Sequence, residues 1–414
     1  MQYCPRMVDD RTNSRPGTGA LLRLIRHRPA LTRAELARLT GLSRATISQR
    51  VDALIDSGLV KEAGDLPSTG GRPPASLVFD SDLGLVLGAD LGATHARLAA
   101  ADLSGRVVAE VALDLAIADG PESVLDAVAA RFSDLLREAG REPEEVQGIG
   151  VGVPGPVEFA TGRPTSPPIM PGWDGYAIPA HLAAHFDVPI MVDNDVNLMA
   201  VGEHWSHRRS VDHLLFVKVG TGIGCGIVIE GSIYRGDQGG AGDIGHIRVP
   251  GHDEVVCECG NVGCLEAVAG GRALVRRARE LGLEVHDSRD VVRLAHGQNI
   301  EIVRMIRESG RILGEVISGL VNAFNPRVIV IGGDVAEAQE QLFVGVREVV
   351  YQRATALGTR HLEVAGSRLG DRAGTSGAAL LAIEHVLSDA SIEAGWLGGR
   401  RSGGPQRARA VGPT

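Results

Sequence analysis

Four side chains with metal-binding chemistry crowd one stretch of the chain. His246 is followed by the run Cys257-Glu-Cys259-Gly-Asn-Val-Gly-Cys264-Leu-Glu266. Three thiolates and one imidazole make a complete tetrahedral set for zinc, and glycines at 260 and 263 let a short loop bend back on the ion. With every position filled by protein such a zinc is structural, leaving no open site to activate water. The alternative, a loop of free thiols, is disfavoured by CxC-x4-C spacing next to a histidine. Cys225 lies in an apolar strand and reads as a buried thiol. An odd total of 5 cysteines argues against a disulfide framework.

A second constellation suits nucleic acid. Ser43, Arg44, Thr46, Ser48 and Gln49 fall at the start and on the outer face of a helix whose inner face is Ile47, Val51, Leu54 and Ile55, at i, i+4, i+7 and i+8. Ser43 is placed to cap that helix. The elements that must position it are legible upstream. Leu21, Leu22, Leu24 and Ile25 have helical spacing, and Thr32-Arg-Ala-Glu35 reads as a capping box opening a short second helix that ends near Gly41. Three helices with a glycine turn before the last predict a helix-turn-helix, whose final helix enters a major groove. Leu59-Val60 and Leu77-Val78-Phe79 supply the strands of a wing, with Arg72 in the Gly-Gly-Arg-Pro-Pro tip as a phosphate or minor-groove contact. Residues 1–76 carry 12 basic against 7 acidic side chains, whereas the whole chain of 414 has net charge −9. The alternative is a helical trimer that packs on the next domain with a solvated arginine face.

The rest of the chain has a different texture. Segments 85–91, 96–103 and 107–113 predict a three-stranded meander, followed by a helix over 121–139 and strands at 146–153 and 188–192. A helix from Val196 leads to a second meander beginning with 214–219 and 225–229. Later segments predict helices over 265–281, 301–324, 335–354 and 373–387, with a strand at 327–331. Two β-rich units with interspersed helices imply a bilobal α/β molecule with a cleft. The expected organisation is a mobile leader (1–16), a winged helix-turn-helix domain (17–80), a two-lobed domain (83–390) and a Gly/Arg/Pro-rich disordered tail (394–414). No apolar run approaches the roughly eighteen residues that span a bilayer, so no membrane contact and a cytoplasmic location are expected.

Gly245-His246 followed by Cys257 to Glu266 resembles the zinc signature of the ROK family, the repressors, open reading frames and sugar kinases, over about residues 83 to 390. The resemblance implies a ribonuclease H-like fold of the actin and hexokinase type. The N-terminal winged helix-turn-helix and Gly71-Arg72-Pro73 resemble the family's transcriptional regulators. By the same resemblance Asn194, Asp195, Asp243, His246 and Glu266 form a sugar site; Asn and carboxylate groups suit paired hydroxyls, and a zinc-bound imidazole presents its other nitrogen as a donor. Asp243 stands where the family usually has Glu. Trp173, in Pro171-Gly-Trp-Asp174, offers either an apolar face to the sugar or simple packing.

The phosphate side is similar to the family in two turns. Asp90-Leu-Gly92-Ala-Thr94 resembles the first phosphate motif; Gly220-Thr221-Gly222-Ile-Gly224 resembles the second; Gly333 sits at the adenosine-side turn. In a kinase Asp195 would be the general base and Asp90 would help hold magnesium beside ATP. Ala93 and His95 replace the family's usual Gly and Lys or Asn, which tilts the expectation away from turnover. Two functions follow. One is a sugar-responsive regulator, a repressor acting on operator DNA as a homodimer or homotetramer, with docking to a sugar-transport protein as a third route of control. The other is an ATP-dependent hexose kinase with an accessory DNA-binding head.

Overall fold

The computed structural model describes residues 17–28, 30–65 and 75–394. The leader 1–16, the wing tip with Arg72 and the tail from 395 lie outside them. Helices α1 (Thr18–His27), α2 (Arg33–Thr40) and α3 (Arg44–Asp56) precede an antiparallel pair, β1 (Val60–Asp65) and β2 (Ala75–Phe79). The capping box forms: the Thr32 hydroxyl accepts from the Glu35 amide at 3.2 Å, and Glu35 Oε2 accepts from the Thr32 amide at 2.8 Å. Gly41 ends α2 at φ 70°, a conformation that favours glycine, and turns the chain into Ser43, whose hydroxyl accepts from the Thr46 amide at 3.1 Å.

From Leu85 one arrangement is built twice. Strands β3 (Leu85–Leu91), β4 (His95–Asp102) and β5 (Val107–Asp114) form an antiparallel meander; α4 (Pro121–Glu138) crosses to β6 (Val146–Val153), parallel to β3. A small hairpin, β7 (Val157–Glu158) and β8 (Arg163–Pro164), and α5 (Ile178–Ala183) lead to β9 (Ile190–Asn194), which runs directly into α6 (Asp195–His207). The second unit repeats the meander with β10 (Leu214–Val219), β11 (Ile223–Ile229) and β12 (Ser232–Tyr234). After the cysteine loop come α7 (Leu265–Ala269), α8 (Gly271–Glu280), α9 (Ser288–His296) and α10 (Ile300–Phe324), then β13 (Val328–Gly332) parallel to β10. Helices α11 (Gln339–Arg353) and α12 (Ala356–Thr359), β14 (Glu363–Gly366), α13 (Ala373–Val386) and α14 (Asp389–Glu393) complete the described residues. The strand orders are β5-β4-β3-β6-β9 and β12-β11-β10-β13-β14. Strands covered on both faces read as apolar runs, and β6 is buried along its whole length.

The helix expected over 265–281 is two helices. Gly270 breaks it with ψ 171°, and a Cβ there would lie 2.6 Å from the Glu266 carbonyl oxygen. The expected helix at 335–354 likewise starts as a 3-10 segment (Asp334–Ala338) before α11. The two units meet where α6 crosses α13. A Cβ on Gly377 would lie 1.8 Å from the Leu198 carbonyl oxygen, so these backbones pack without intervening side chains.

The head shares its core with the first unit: Leu21, Leu22, Ile25, Leu36, Ile47, Val51 and Leu54 cluster with Val86, Leu103, Leu380, Ile383 and Val386. At that seam the Gly19 amide donates to Asp389 Oδ1 at 2.5 Å and Arg26 pairs with Glu384 at 3.0 Å. The Trp205 ring, near the end of α6, has the Arg209 and Arg26 guanidinium groups 3.9 and 4.6 Å from its centroid and His27 edge-on at 4.8 Å. Burial pushes the His27 imidazole down to about 3, with the Arg26 charge adding to the effect.

Candidate functional site

A cleft of about 530 Å³ lies between the two units and gathers most of the residues singled out in the sequence. Its floor is the junction of β9 and α6. Asn194 caps α6, its side-chain oxygen accepting from the Val196 and Asn197 amides at 2.9 and 3.3 Å, while its amide nitrogen donates to the Gly155 carbonyl at 3.1 Å. Much of its hydrogen-bonding capacity therefore orients the helix. Asp195 follows, its side chain 3 % exposed. Its Oδ1 accepts from the Val196 amide at 2.8 Å and its Oδ2 from Lys218 Nζ at 2.5 Å.

Gly92, Gly220, Thr221, Gly222, Gly224 and Gly333 also line the cleft, as does Asp90. Thr94 stands off its wall, its carbonyl accepting from the Leu115 amide at 3.2 Å. Asp90 abuts the start of α13, where a Cβ on Gly374 would lie 2.0 Å from its Oδ2. Burial pushes the Asp90 carboxyl up to about 7; the Lys218 charge opposes this and Asp195 adds to it. Burial also works against the Lys218 ammonium, but Asp195 and then Asp90 outweigh it and hold its pKa above the ordinary lysine value. His95 is lowered, by burial first and then by Arg289.

The four metal-type donors converge. Donor atoms of His246, Cys257, Cys259 and Cys264 all lie within 4.8 Å of one another. The Cys259 and Cys264 sulfurs are 3.7 Å apart, as are Cys257 Sγ and His246 Nδ1. A tetrahedron with metal–sulfur bonds of about 2.3 Å has edges of about 3.8 Å, so the set fits such an ion. His246 turns Nδ1 to the thiols and leaves Nε2 3.9 Å from Asp243 Oδ1. Burial pushes the Cys225 thiol, separate from this group, up to about 12.

Glu266, just after Cys264, faces the cleft and has a second task. Its Oε2 accepts from the Ile223 amide at 3.0 Å, inside the Gly220–Gly224 turn, and a Cβ on Gly222 would meet that oxygen at 2.2 Å. Burial raises its pKa, the Ile223 amide pulling the other way. The metal-type loop and the glycine turn are thus one hydrogen-bonded unit. Trp173 does not face the cleft: it is fully buried and donates to the Ile117 carbonyl at 2.9 Å.

Three residues of the site escaped the sequence. Asp193 Oδ1 accepts from Asn197 Nδ2 at 2.9 Å and from the Asn194 amide at 2.8 Å, and its Oδ2 pairs with Arg235, from just beyond β12, at 2.8 Å. Lys218 is one of only two lysines, on an otherwise apolar strand. An isolated ammonium on such a strand requires a buried partner, which is the signal that could have found it.

On the head, Arg44 and Gln49 are exposed on α3 while Thr46 and Ser48 are half-buried. Ser43 and Thr46 are tied to each other, their hydroxyl oxygens 2.8 Å apart. Among the described residues no helix is long and apolar enough to cross a membrane.

Comparison with known proteins agrees at both ends. Residues 86–385 match the ROK family model and residues 18–61 match a winged helix-turn-helix DNA-binding model. The chain is 30% identical over 386 residues to the xylose repressor of Caldicellulosiruptor bescii, covering 89% of this chain and 95% of the relative. It is 30% identical over 398 residues to the DNA-binding transcriptional dual regulator NagC of Escherichia coli K12, covering 90% and 95%. The crystal structure of a ROK family transcriptional regulator, a homolog of the E. coli MLC protein, superposes with TM-score 0.80 at 25% identity over 92% of this chain and 98% of that one. A ROK family glucokinase from Streptomyces griseus, in complex with glucose and AMPPNP, gives TM-score 0.64 at 28% identity over 72% and 99%. With a cleft between duplicated α/β units and a three-helix head joined to one of them, the chain belongs to the ROK family and carries a winged helix-turn-helix DNA-binding domain at its N-terminal side.

Proposed function

We propose that this protein is a sugar-responsive transcriptional regulator, a repressor that binds operator DNA through α3 and its wing and releases it when a sugar fills the cleft. The observation that carries this is the shared core of Leu21, Leu22 and Ile25 with Leu380 and Ile383, which joins the head to the lobe beneath the cleft. Relatives named xylose repressor and N-acetylglucosamine repressor support it. Asp195, Asp243, His246 and Glu266 supply acceptors and one donor for sugar hydroxyls, with Asn194 chiefly setting the start of α6. Zinc in the His246, Cys257, Cys259 and Cys264 set would fix the imidazole tautomer, so that Nε2–H points to the cleft. Ser43, Arg44, Thr46, Ser48, Gln49 and Arg72 are the proposed DNA contacts. A homodimer, or a homotetramer built as a dimer of dimers, would place two heads on two half-sites.

The test is operator affinity across a sugar panel. At least one sugar shifts it about tenfold or more; Arg44→Ala weakens operator binding and leaves sugar affinity intact. No shift with any sugar removes the proposal. The kinase alternative is favoured by one observation, that Asp195 and the Gly220–Gly224 turn share the cleft. ADP release that depends on sugar and disappears in Asp195→Ala would establish it.

A further inference from the structure

In a kinase reading of this cleft Asp90 would help hold a divalent metal beside the general base Asp195, and the residues present do not fit one. Asp195 is already engaged at both oxygens, Oδ1 by the Val196 amide and Oδ2 by the Lys218 ammonium at 2.5 Å, which holds a positive charge where a metal would bind. Lys218 reaches that position from the penultimate residue of β10, just before the Gly220–Gly224 turn. Its charge also acts on Asp90.

We infer that Lys218 is a resident cation that takes the charge position of a divalent metal between Asp195 and Asp90, so that this cleft recognises its ligand without such a metal. The inference rests on the sensor role proposed above and explains how that role is fixed in the chain. A hard divalent ion needs anionic oxygens with free lone pairs. Here the central carboxylate is already neutralised, and an incoming ion would sit beside a like charge. The ammonium is a permanent substitute, since it is covalently attached and cannot be diluted away. Its hydrogen bond to Oδ2 leaves a second lone pair on each Asp195 oxygen to accept from a sugar hydroxyl. Of the cleft's other carboxylates, Asp243 lies beside His246, Glu258 pairs with Arg272, Glu266 accepts from the Ile223 amide, Asp334 pairs with Arg289 and Asp371 with Arg97, and the Asp334 charge adds to those of Asp195 and Asp90 on Lys218.

The experiment is Mn²⁺ binding to the full chain with its cysteine site loaded with zinc, followed by electron paramagnetic resonance. The native protein is expected to retain no Mn²⁺ in the cleft at 1 mM. Lys218→Met should gain one site at least tenfold tighter, lost again in Lys218→Met/Asp195→Asn. If Lys218→Met does not fold, Lys218→Gln carries the same expectation. Because Lys61 and Lys218 are the only lysines, selective ¹⁵N-lysine labelling isolates the native ammonium, and its signal should stay sharp in Mn²⁺. Broadening of that signal, or a folded variant that binds no more Mn²⁺ than the native chain, overturns the inference. The operator assay reads the sensor role separately: a sugar-insensitive protein that still excludes Mn²⁺ loses that role and keeps this one, and the reverse result does the opposite.

Discussion

The two units share a strand order, and the turns that face each other across the cleft leave their first strands at the same place. In one, the penultimate residue of β3 is Asp90, two before Gly92; in the other, the penultimate residue of β10 is Lys218, two before Gly220. Equivalent positions carry opposite charges and are turned toward the same carboxylate. The turns differ in support as well. The second is clamped by Glu266 on the Ile223 amide, by the Gly271 amide on the Gly220 carbonyl at 2.8 Å and by the Arg272 amide on the Thr221 carbonyl at 3.2 Å. The first is closed by the Gly92 amide on the His95 carbonyl at 2.8 Å and held by the segment after β5, through the Leu115 amide on the Thr94 carbonyl at 3.2 Å and the Ile117 amide on the Ala93 carbonyl at 3.1 Å, rather than by the metal-type loop. A repeated backbone therefore fixes where two side chains meet, while the chemistry at that meeting point is set residue by residue.

The largest effect should come from disrupting the His246, Cys257, Cys259 and Cys264 set proposed to hold zinc. Chelation, or Cys259→Ser, is expected to speed amide exchange in the 220–224 turn by about 10 to 100-fold, to abolish sugar binding and to leave 92–95 unchanged. Equal change in both turns, read by hydrogen-exchange mass spectrometry, would break the contrast. Next comes the charge at the equivalent positions. The Asp90 carboxyl is raised from 3.8 to about 7 in the folded chain, so the folded state holds this proton more tightly than the unfolded one. Stability from this group is complete below about pH 4 and falls as pH rises through 7. Asp90→Asn should then stabilise more at pH 8 than at pH 5, by about 2 kcal/mol, in urea unfolding.

Smaller still is the steric difference. Gly222→Ala, with its methyl 2.2 Å from Glu266 Oε2, should cost about 1 to 2 kcal/mol and weaken sugar binding, whereas Ala93→Gly in the other turn should stay within about 1 kcal/mol. The smallest direct effect is expected from Trp205→Ala, far from both turns. Operator and sugar affinities measured separately should each move less than about threefold, while the sugar's influence on operator binding shrinks. Full influence in that variant would mean the head senses the cleft by another route.

The parts of this molecule legible in its sequence are those held by local rules. The Thr32–Glu35 box, the Ser43 cap, the meanders and the cysteine spacing each need only neighbours within a few residues, and each was found in place. What stayed hidden depends on distant partners. Lys218 has meaning only beside Asp195, and Asp193 only beside Arg235 of the other unit. Trp173 sits in a loop whose composition gives no sign that its indole N–H will find the Ile117 carbonyl. The break at Gly270 was masked because Leu265, Val268, Leu274, Val275 and Ala278 keep an apolar pattern on both sides of it. Strand β14, with four residues, is too short for periodicity to register.

One helix spans the distance between the two functions. The 13 residues of α6 measure about 20 Å, with Asn194 capping one end in the cleft and Trp205 near the other, against the DNA-binding head. A rod of that length pivoting by about five degrees at its cap sweeps its far end through about 2 Å. Half-sites on DNA are spaced about 34 Å apart, and a paired reader must match that interval with both heads at once. Under the proposed sensing role the helix would be a gauge arm, through which the small volume of a ligand at one end would set the span of a ruler laid along DNA at the other.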